Sequence, residues 1–167
     1  MDLYILRHAM AEERDHDKWP DDSQRPLTRK SAKRMRRTAE GMRALNLSFD
    51  VIYTSPFVRA KQTADIVATV FDAAKKLRET ETLAVDGNPE ELTTLINNAD
   101  AAFESVLLVG HEPYLSDLVS KLVCGDSSSS LTLKKGALCK LTVAALTYGR
   151  CATLDWLLPP GVSTKIK

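Results

Sequence analysis

Four residues of this sequence could do chemistry together. Arg7 and His8 are adjacent at the end of the apolar run "LYILRH" (3–8), Arg59 lies in "SPFVRAKQTA" (55–64), and His111 closes "SVLLVGH" (105–111). Cationic side chains at the end of a buried strand are costly to desolvate unless something anionic meets them. A neutral imidazole can attack phosphorus, provided an acceptor holds the proton on its opposite ring nitrogen. Guanidinium groups can grip phosphoryl oxygens in a planar, partly bidentate manner. A second histidine can donate a further hydrogen bond, best when protonated. Neighbouring arginines lower its pKa, and a bound phosphate dianion restores it. The ligand implied by these residue types is phosphate or something shaped like it.

A metal held by His8 and His111 is the other specific chemistry. Two guanidinium groups, which cannot be deprotonated, would repel the cation and disfavour that arrangement. The third histidine, His16, sits among Asp15, Asp17 and Lys18 and reads as a solvated loop residue.

The elements that must position these residues follow from the apolar pattern. Strands are expected at 3–7, 49–54, more weakly at 77–83, and at 105–111, 137–146 and 151–158. Helices are expected at 26–45, 55–71, 88–96 and 112–123. The first carries Ala32, Met35, Ala39 and Met42 at helical spacing; the second carries Ala60, Ala64, Val67 and Phe71. Ser55 as N-cap and Pro56 as first helical residue would open the second helix. "CGDSSSS" (124–130) reads as a polar loop, and "PPGVSTKIK" (159–167) as an unstructured tail. Strands alternating with helices predict one α/β domain over residues 1–158, a three-layer αβα sandwich whose central sheet is mostly parallel with helices on both faces. In such sheets ligands bind beyond the carboxyl ends of the parallel strands. His8, Arg7, Arg59 and His111 all fall at that edge, and Arg59 also lies in a helix's first turn, where free N–H groups favour an anion.

Bulk properties set the outer bounds. The chain has 167 residues, 44% hydrophobic and 27% charged, with a net charge of +1. That balance gives no global reason to expect nucleic acid or a membrane surface as partner. No apolar run approaches the ~20 residues that cross a bilayer. "MDLYILRHA" is too quickly charged for a signal peptide, so a cytoplasmic protein is expected. Cys124, Cys139 and Cys151 form no C-x-x-C pair and read as free thiols.

The segments "LYILRHAMAE", "PLTRKSAKRM", "VIYTSPFVRAKQTADIV" and "VLLVGHEPYLSDLV" resemble, in order and spacing, the histidine phosphatase superfamily, whose fold is phosphoglycerate mutase-like. Within it the chain is most similar to the small SixA-type phosphohistidine phosphatases, over about residues 2–158. The resemblance implies that His8 is the nucleophile, that Arg7, Arg59 and His111 form the phosphate pocket, and that no metal or organic cofactor is needed. Two departures stand out: Ala9 follows the histidine where most members have glycine, and "LTRKS" places Ser31 where "L-T-x-x-G" is usual.

Larger members supply a carboxylic acid to the leaving group from the region after the third strand. Here that region reads "RETETLAVDGNPEEL"; Glu79, Glu81 and Asp86 lie near enough to be considered, but each reads as a surface charge. A labile P–N bond depends less on such an acid, and the short stretch from Arg59 to Gly110 leaves no room for a lid. The expected function is therefore a phosphohistidine phosphatase acting on a phosphohistidine-containing protein. A small-molecule phosphomonoesterase and a non-catalytic phosphate-binding module are the alternatives. Arg29, Lys30, Lys33, Arg34, Arg36, Arg37 and Arg43 make the first helix basic, either as a solvated face or as a guide for an acidic partner. Without interleaved aromatic residues it is a weak nucleic-acid site.

Overall fold

The computed structural model describes residues 1–99 and 102–166. Six strands form one sheet: β1 (Asp2–Arg7), β2 (Val51–Thr54), β3 (Leu77–Glu79), β4 (Ser105–Gly110), β5 (Leu138–Val143) and β6 (Ala152–Leu158). Their order is β3-β2-β4-β1-β5-β6, with β3, β2, β4 and β1 parallel and β5 and β6 antiparallel at one edge. Helices α1 (Arg29–Ala44) and α2 (Val58–Val70) cover one face; α3 (Pro89–Asn97) and α4 (Tyr114–Cys124) cover the other. The three-layer sandwich expected from the alternating pattern is the observed architecture.

Central strands β1 and β4 are apolar without interruption because both their faces are covered. Leu3, Ile5, Val106 and Leu108 pack towards α3 and α4, whereas Tyr4, Leu6, Leu107 and Val109 pack towards α1 and α2. Met35, Ala39 and Met42 bury the inner face of α1, and Ala60, Ala64 and Val67 that of α2. Small residues on the facing helices let them pack closely, and together these side chains close the second core.

Register is what brings the strand ends together. Arg7 pairs with Gly110 across β1 and β4, and Thr54 pairs with Val109 across β2 and β4. The residues that follow, His8, Ser55 and His111, therefore emerge side by side. Backbone bonds extend that alignment past the strands: His8 N–H to the Gly110 carbonyl and Ser55 N–H to the Val109 carbonyl, each 3.0 Å.

Three expectations are corrected. The strand expected at 77–83 is confined to Leu77–Glu79, because Thr80 Oγ1 accepts the amide of Thr82 and turns the chain into a 3-10 helix, Glu81–Leu83. α2 begins at Val58 with Phe57 as N-cap and no side-chain cap, so neither Ser55 nor Pro56 plays the expected part. The terminal segment is not structureless: Pro160–Ser163 form a helical turn, α5, which packs against α1 with Ser163 buried. Proline at the first helical position favours that turn.

Gly41 makes the docking of α5 possible. A methyl group at that position would overlap the carbonyl of Ser163. Gly41→Ala should therefore lower stability by about 1–3 kcal/mol, the usual cost of overpacking, and expose the terminal turn. Urea unfolding and limited proteolysis of the C-terminus check this; an unchanged midpoint with an equally protected terminus would show that α5 is not held there.

Candidate active site

The fold brings His8, Arg7, Arg59 and His111 to one place at the carboxyl edge of the parallel strands. The rings of His8 and His111 are 5.0 Å apart between centroids, and both arginines are close enough to perturb both imidazoles. His8, Arg59 and His111 are buried.

His8 is held by its own backbone neighbour. Its Nδ1 lies 2.6 Å from the carbonyl oxygen of Ala9, an acceptor, so Nδ1 carries the proton and Nε2 keeps a free lone pair. Burial lowers the His8 pKa to about 3; the Ala9 carbonyl opposes the shift, and His111, Arg59 and Arg7 add to it. His8 is thus a neutral imidazole with Nε2 available for attack. Ala9 is fixed in turn by α2: its amide donates to Thr63 Oγ1 at 3.1 Å, and Thr63 donates to the Arg59 carbonyl at 2.7 Å.

The block "SPFVRAKQTA" therefore does more than carry Arg59. Gln62 accepts the amide of Leu27 at 2.8 Å, tying the chain before α1 to α2. Ser55, buried at the end of β2, accepts the amide of Phe57 and lies 2.8 Å from His111 Nε2. Ser55 Oγ accepts the Phe57 amide and can pass its own proton to Nε2, the arrangement in which His111 carries its proton on Nδ1. Phe57 packs on His111 and beneath the Arg59 guanidinium, 5.0 Å away in each case.

Arg59 is anchored by Asp22, which heads a 3-10 turn, Asp22–Gln24. Nη1 donates to the Asp22 carbonyl at 2.7 Å, and Nη2 pairs with its carboxylate at 3.1 Å. Burial pushes the Asp22 pKa up, but the hydrogen bond from Arg25 and the charges of Arg59, Arg25 and Arg14 hold the carboxyl below its ordinary value. Asp22 is consequently an anionic acceptor. Arg7 donates from Nη1 to the Leu133 carbonyl at 2.8 Å, and Glu112 accepts the Leu133 amide at the same distance. Gly136, with φ +78°, sends its amide towards the carbonyls of both Arg7 and His8 (3.1 and 3.2 Å) and closes the turn behind them.

Among the described residues four buried side-chain polar atoms lack a partner: Arg7 Nε, Arg59 Nε, His111 Nδ1 and the Tyr114 hydroxyl. Three belong to the cluster around His8. Unmet buried donors cost about 1–3 kcal/mol each, more when charged. An oxyanion at His8 would satisfy such donors, and its charge would offset the burial of the two guanidiniums. The arrangement can bind a phosphoryl group by positive charge and hydrogen bonding, beside a neutral nucleophile.

The carboxylates considered for a proton donor are an ion-paired one and two exposed ones. Glu79 is ion-paired with Lys61 at 2.6 Å, and Glu81 and Asp86 are exposed on the connection between β3 and α3. His16 is exposed in its polar loop. Asp22, Ser55's hydroxyl and Thr63 escaped the sequence reading of the site. Ser55 and Thr63 lie inside the quoted block, but Asp22 sits in "PDDSQRP", where nothing in the pattern distinguishes it from its acidic neighbour.

A family model described as the histidine phosphatase superfamily (branch 1) matches residues 3–105. The chain belongs to that superfamily. It is 33% identical over 146 residues, 87% of either chain, to an uncharacterized protein of Picosynechococcus sp.. It is 26% identical over 163 residues, 96% of this chain and 94% of the other, to the phosphohistidine phosphatase SixA of Escherichia coli. Among solved structures, a protein histidine phosphatase SixA in complex with tungstate superposes with a TM-score of 0.79 at 25% identity, covering 96% of this chain and 98% of that one. A SixA homologue of Agrobacterium tumefaciens, at 22% identity and a TM-score of 0.75, shares the fold.

Because burial holds both imidazoles neutral, neither His8 nor His111 should titrate near the ordinary 6.5 in the ligand-free protein. The unfolded chain then binds more protons than the native one below about pH 6.5, so stability should fall as pH drops from there towards 3. A bound oxyanion should raise the His111 pKa. Histidine C–H chemical shifts followed over pH, with and without tungstate, measure this directly. Two ordinary titrations unaffected by tungstate would contradict the described electrostatics.

Proposed function

We propose that this protein is a phosphohistidine phosphatase that removes phosphate from a phosphohistidine-bearing protein through a phospho-His8 intermediate. The observation that carries the reading is the state of His8: neutral, with Nδ1 tied to the Ala9 carbonyl and Nε2 left free beside Arg7, Arg59 and His111. Its similarity to the phosphohistidine phosphatase of Escherichia coli supports the choice of substrate.

In the first step Nε2 of His8 forms a bond to phosphorus as the P–N bond of the substrate breaks. Arg7 and Arg59 hold the non-bridging oxygens, whose charge in a loose transition state makes positioning and electrostatics the main contributions. His111 donates from Nδ1, supported by Ser55 behind it. The departing imidazole can take its proton from solvent at its other ring nitrogen, so no enzyme acid has to be in place. Water then attacks phospho-His8, releasing inorganic phosphate and restoring the free Nε2. The positive charge that a metal might contribute comes here from the two guanidinium groups.

The carboxylates support the same substrate. Asp22 is held anionic by three arginines and serves as an anchor; Glu79 is engaged by Lys61. An alkyl alkoxide needs a proton to depart, whereas an imidazole does not need one from the protein. Among the described residues the connection between α2 and β4 holds only two short 3-10 turns, β3 and α3, with no inserted lid, which suits a residue presented on another protein.

Rates should therefore depend steeply on the leaving group. Phosphohistidine and aryl phosphates of acidic phenols should react, and sugar phosphates poorly. Glu79→Gln, Glu81→Gln and Asp86→Asn should each keep most phosphohistidine phosphatase activity. A side-by-side assay of a phosphohistidine protein and a panel of phosphomonoesters tests the reading. Efficient sugar-phosphate hydrolysis abolished by one of the three substitutions would reveal an acid and make the protein a small-molecule phosphomonoesterase. No turnover of any phosphate would leave a binding module.

A further inference from the structure

A cavity of about 220 Å³ opens beside Ala9, between one face of α1, the chain just after His8, the turn at 135–136 and Pro160. Water occupies about 30 Å³ in the liquid, so this space is large enough for a side chain. Met10, Met35 and Pro160 give it apolar walls; Lys30, Arg34 and Lys135 supply cations. Among the described residues no aspartate or glutamate lines it.

The basic residues of α1 divide by helical position. Lys30 and Arg34, one turn apart, border the cavity with Ser31, Met35 and Thr38, whereas Lys33 and Arg37 do not. Arg36 is paired with Glu40 at 3.5 Å, and Arg43 with Asp72 at 3.8 Å. Among the described residues Lys30, Arg34 and Lys135 take part in no ion pair. Three uncompensated cations around an apolar recess describe a receptor for an anion on a hydrocarbon stem.

The cavity shares a wall with the phosphate site. Ala9, whose carbonyl holds His8 Nδ1, lines it, as does Gly136, whose amide binds the carbonyls of Arg7 and His8. Lys135 lines the cavity as well. Its pKa is lowered by partial burial and then by the charges of Arg7, Arg25 and Arg59, which places its ammonium within the field of the phosphate-binding arginines. No aromatic side chain lines the recess, so it offers no platform for a nucleobase.

We infer that this cavity is a substrate subsite that takes an acidic side chain lying next to the phosphohistidine of the substrate protein. The carboxylate meets Lys30, Arg34 and Lys135, and its methylenes lie against Met35 and Pro160. The inference rests on the phosphohistidine phosphatase reading and adds to it a local sequence preference.

The test uses phosphohistidine peptides that differ only in carrying Glu, Gln or Lys beside the phosphohistidine, together with free phosphohistidine. For the unaltered protein the Glu peptide should exceed the Gln peptide in kcat/KM by about tenfold, the value of one charge-assisted hydrogen bond at a partly exposed site, and the difference should lie in KM. Lys30→Ala with Arg34→Ala, and separately Lys135→Ala, should erase that preference; Lys135→Glu should turn it towards the Lys peptide. Lys33→Ala with Arg37→Ala should leave it intact. The alanine variants should hydrolyse free phosphohistidine with kcat within about twofold of the parent, since uniform binding interactions leave kcat unchanged. Equal rates on Glu and Gln peptides, or a preference that survives both the paired Lys30→Ala and Arg34→Ala substitutions and the Lys135→Ala substitution, would overturn the inference while leaving the function standing. Turnover of aryl phosphates without any turnover of phosphohistidine would overturn the functional reading instead. The cavity is then read with aryl phosphates bearing or lacking a carboxylate arm: dependence on Lys30, Arg34 and Lys135 supports an acid-binding subsite, and indifference to the arm refutes it.

Discussion

The hydrogen bond from His8 Nδ1 to the carbonyl of Ala9 couples a proton's position to the path of the backbone. A histidine is nucleophilic only at an unprotonated nitrogen, and this bond decides which nitrogen that is. Its acceptor is a main-chain atom, so its placement depends on everything that fixes residue 9. The Ala9 amide is held by Thr63, and Thr63 by the carbonyl of Arg59. Gly136 holds the carbonyl of His8 itself. Helix α2 thus supplies both the guanidinium beside His8 and the brace that sets the histidine's tautomer. Moving that helix would disturb both at once.

Positive charge is the second constraint. Arg59 is 4% exposed and His111 2%, and burying such groups opposes their charged forms. The fold meets part of that cost with Asp22 on Arg59 and with the Leu133 carbonyl on Arg7. It leaves Nε of each arginine and Nδ1 of His111 without partners. A structural ion-pair network tends to satisfy its donors; a site built for an anion leaves them waiting. Lys135, perturbed by Arg7, Arg25 and Arg59, also lines the neighbouring cavity with Lys30 and Arg34.

The strand ends were legible because a buried parallel strand reads as an unbroken apolar run, and such sheets present ligands at one edge. That pattern alone assigns Arg7, His8, Arg59 and His111 to one edge of the sheet. What escaped the reading depends on contacts distant in sequence. Ser55 has the residue type and spacing of an N-cap, yet its hydroxyl lies on His111, 56 residues away, and the helix starts three residues later. Asp22 resembles Asp21 in every local respect, but only Asp22 meets Arg59. The terminal turn α5 has no apolar stripe; it is held because Gly41 lacks a side chain where Ser163 approaches. Periodicity reports which face is buried and says nothing of which loop lands upon it.

The central claim is that His8 Nε2 attacks phosphorus. The most direct measurement is to mix the protein with a phosphohistidine protein, stop the reaction within its first turnovers without acid, and map phosphate by mass spectrometry of the peptides. Phosphate should appear on His8, build up and decay with turnover, and be absent from His8→Ala, which should also lose hydrolysis. Substantial hydrolysis by His8→Ala, or phosphate transiently held on another residue, would contradict the account.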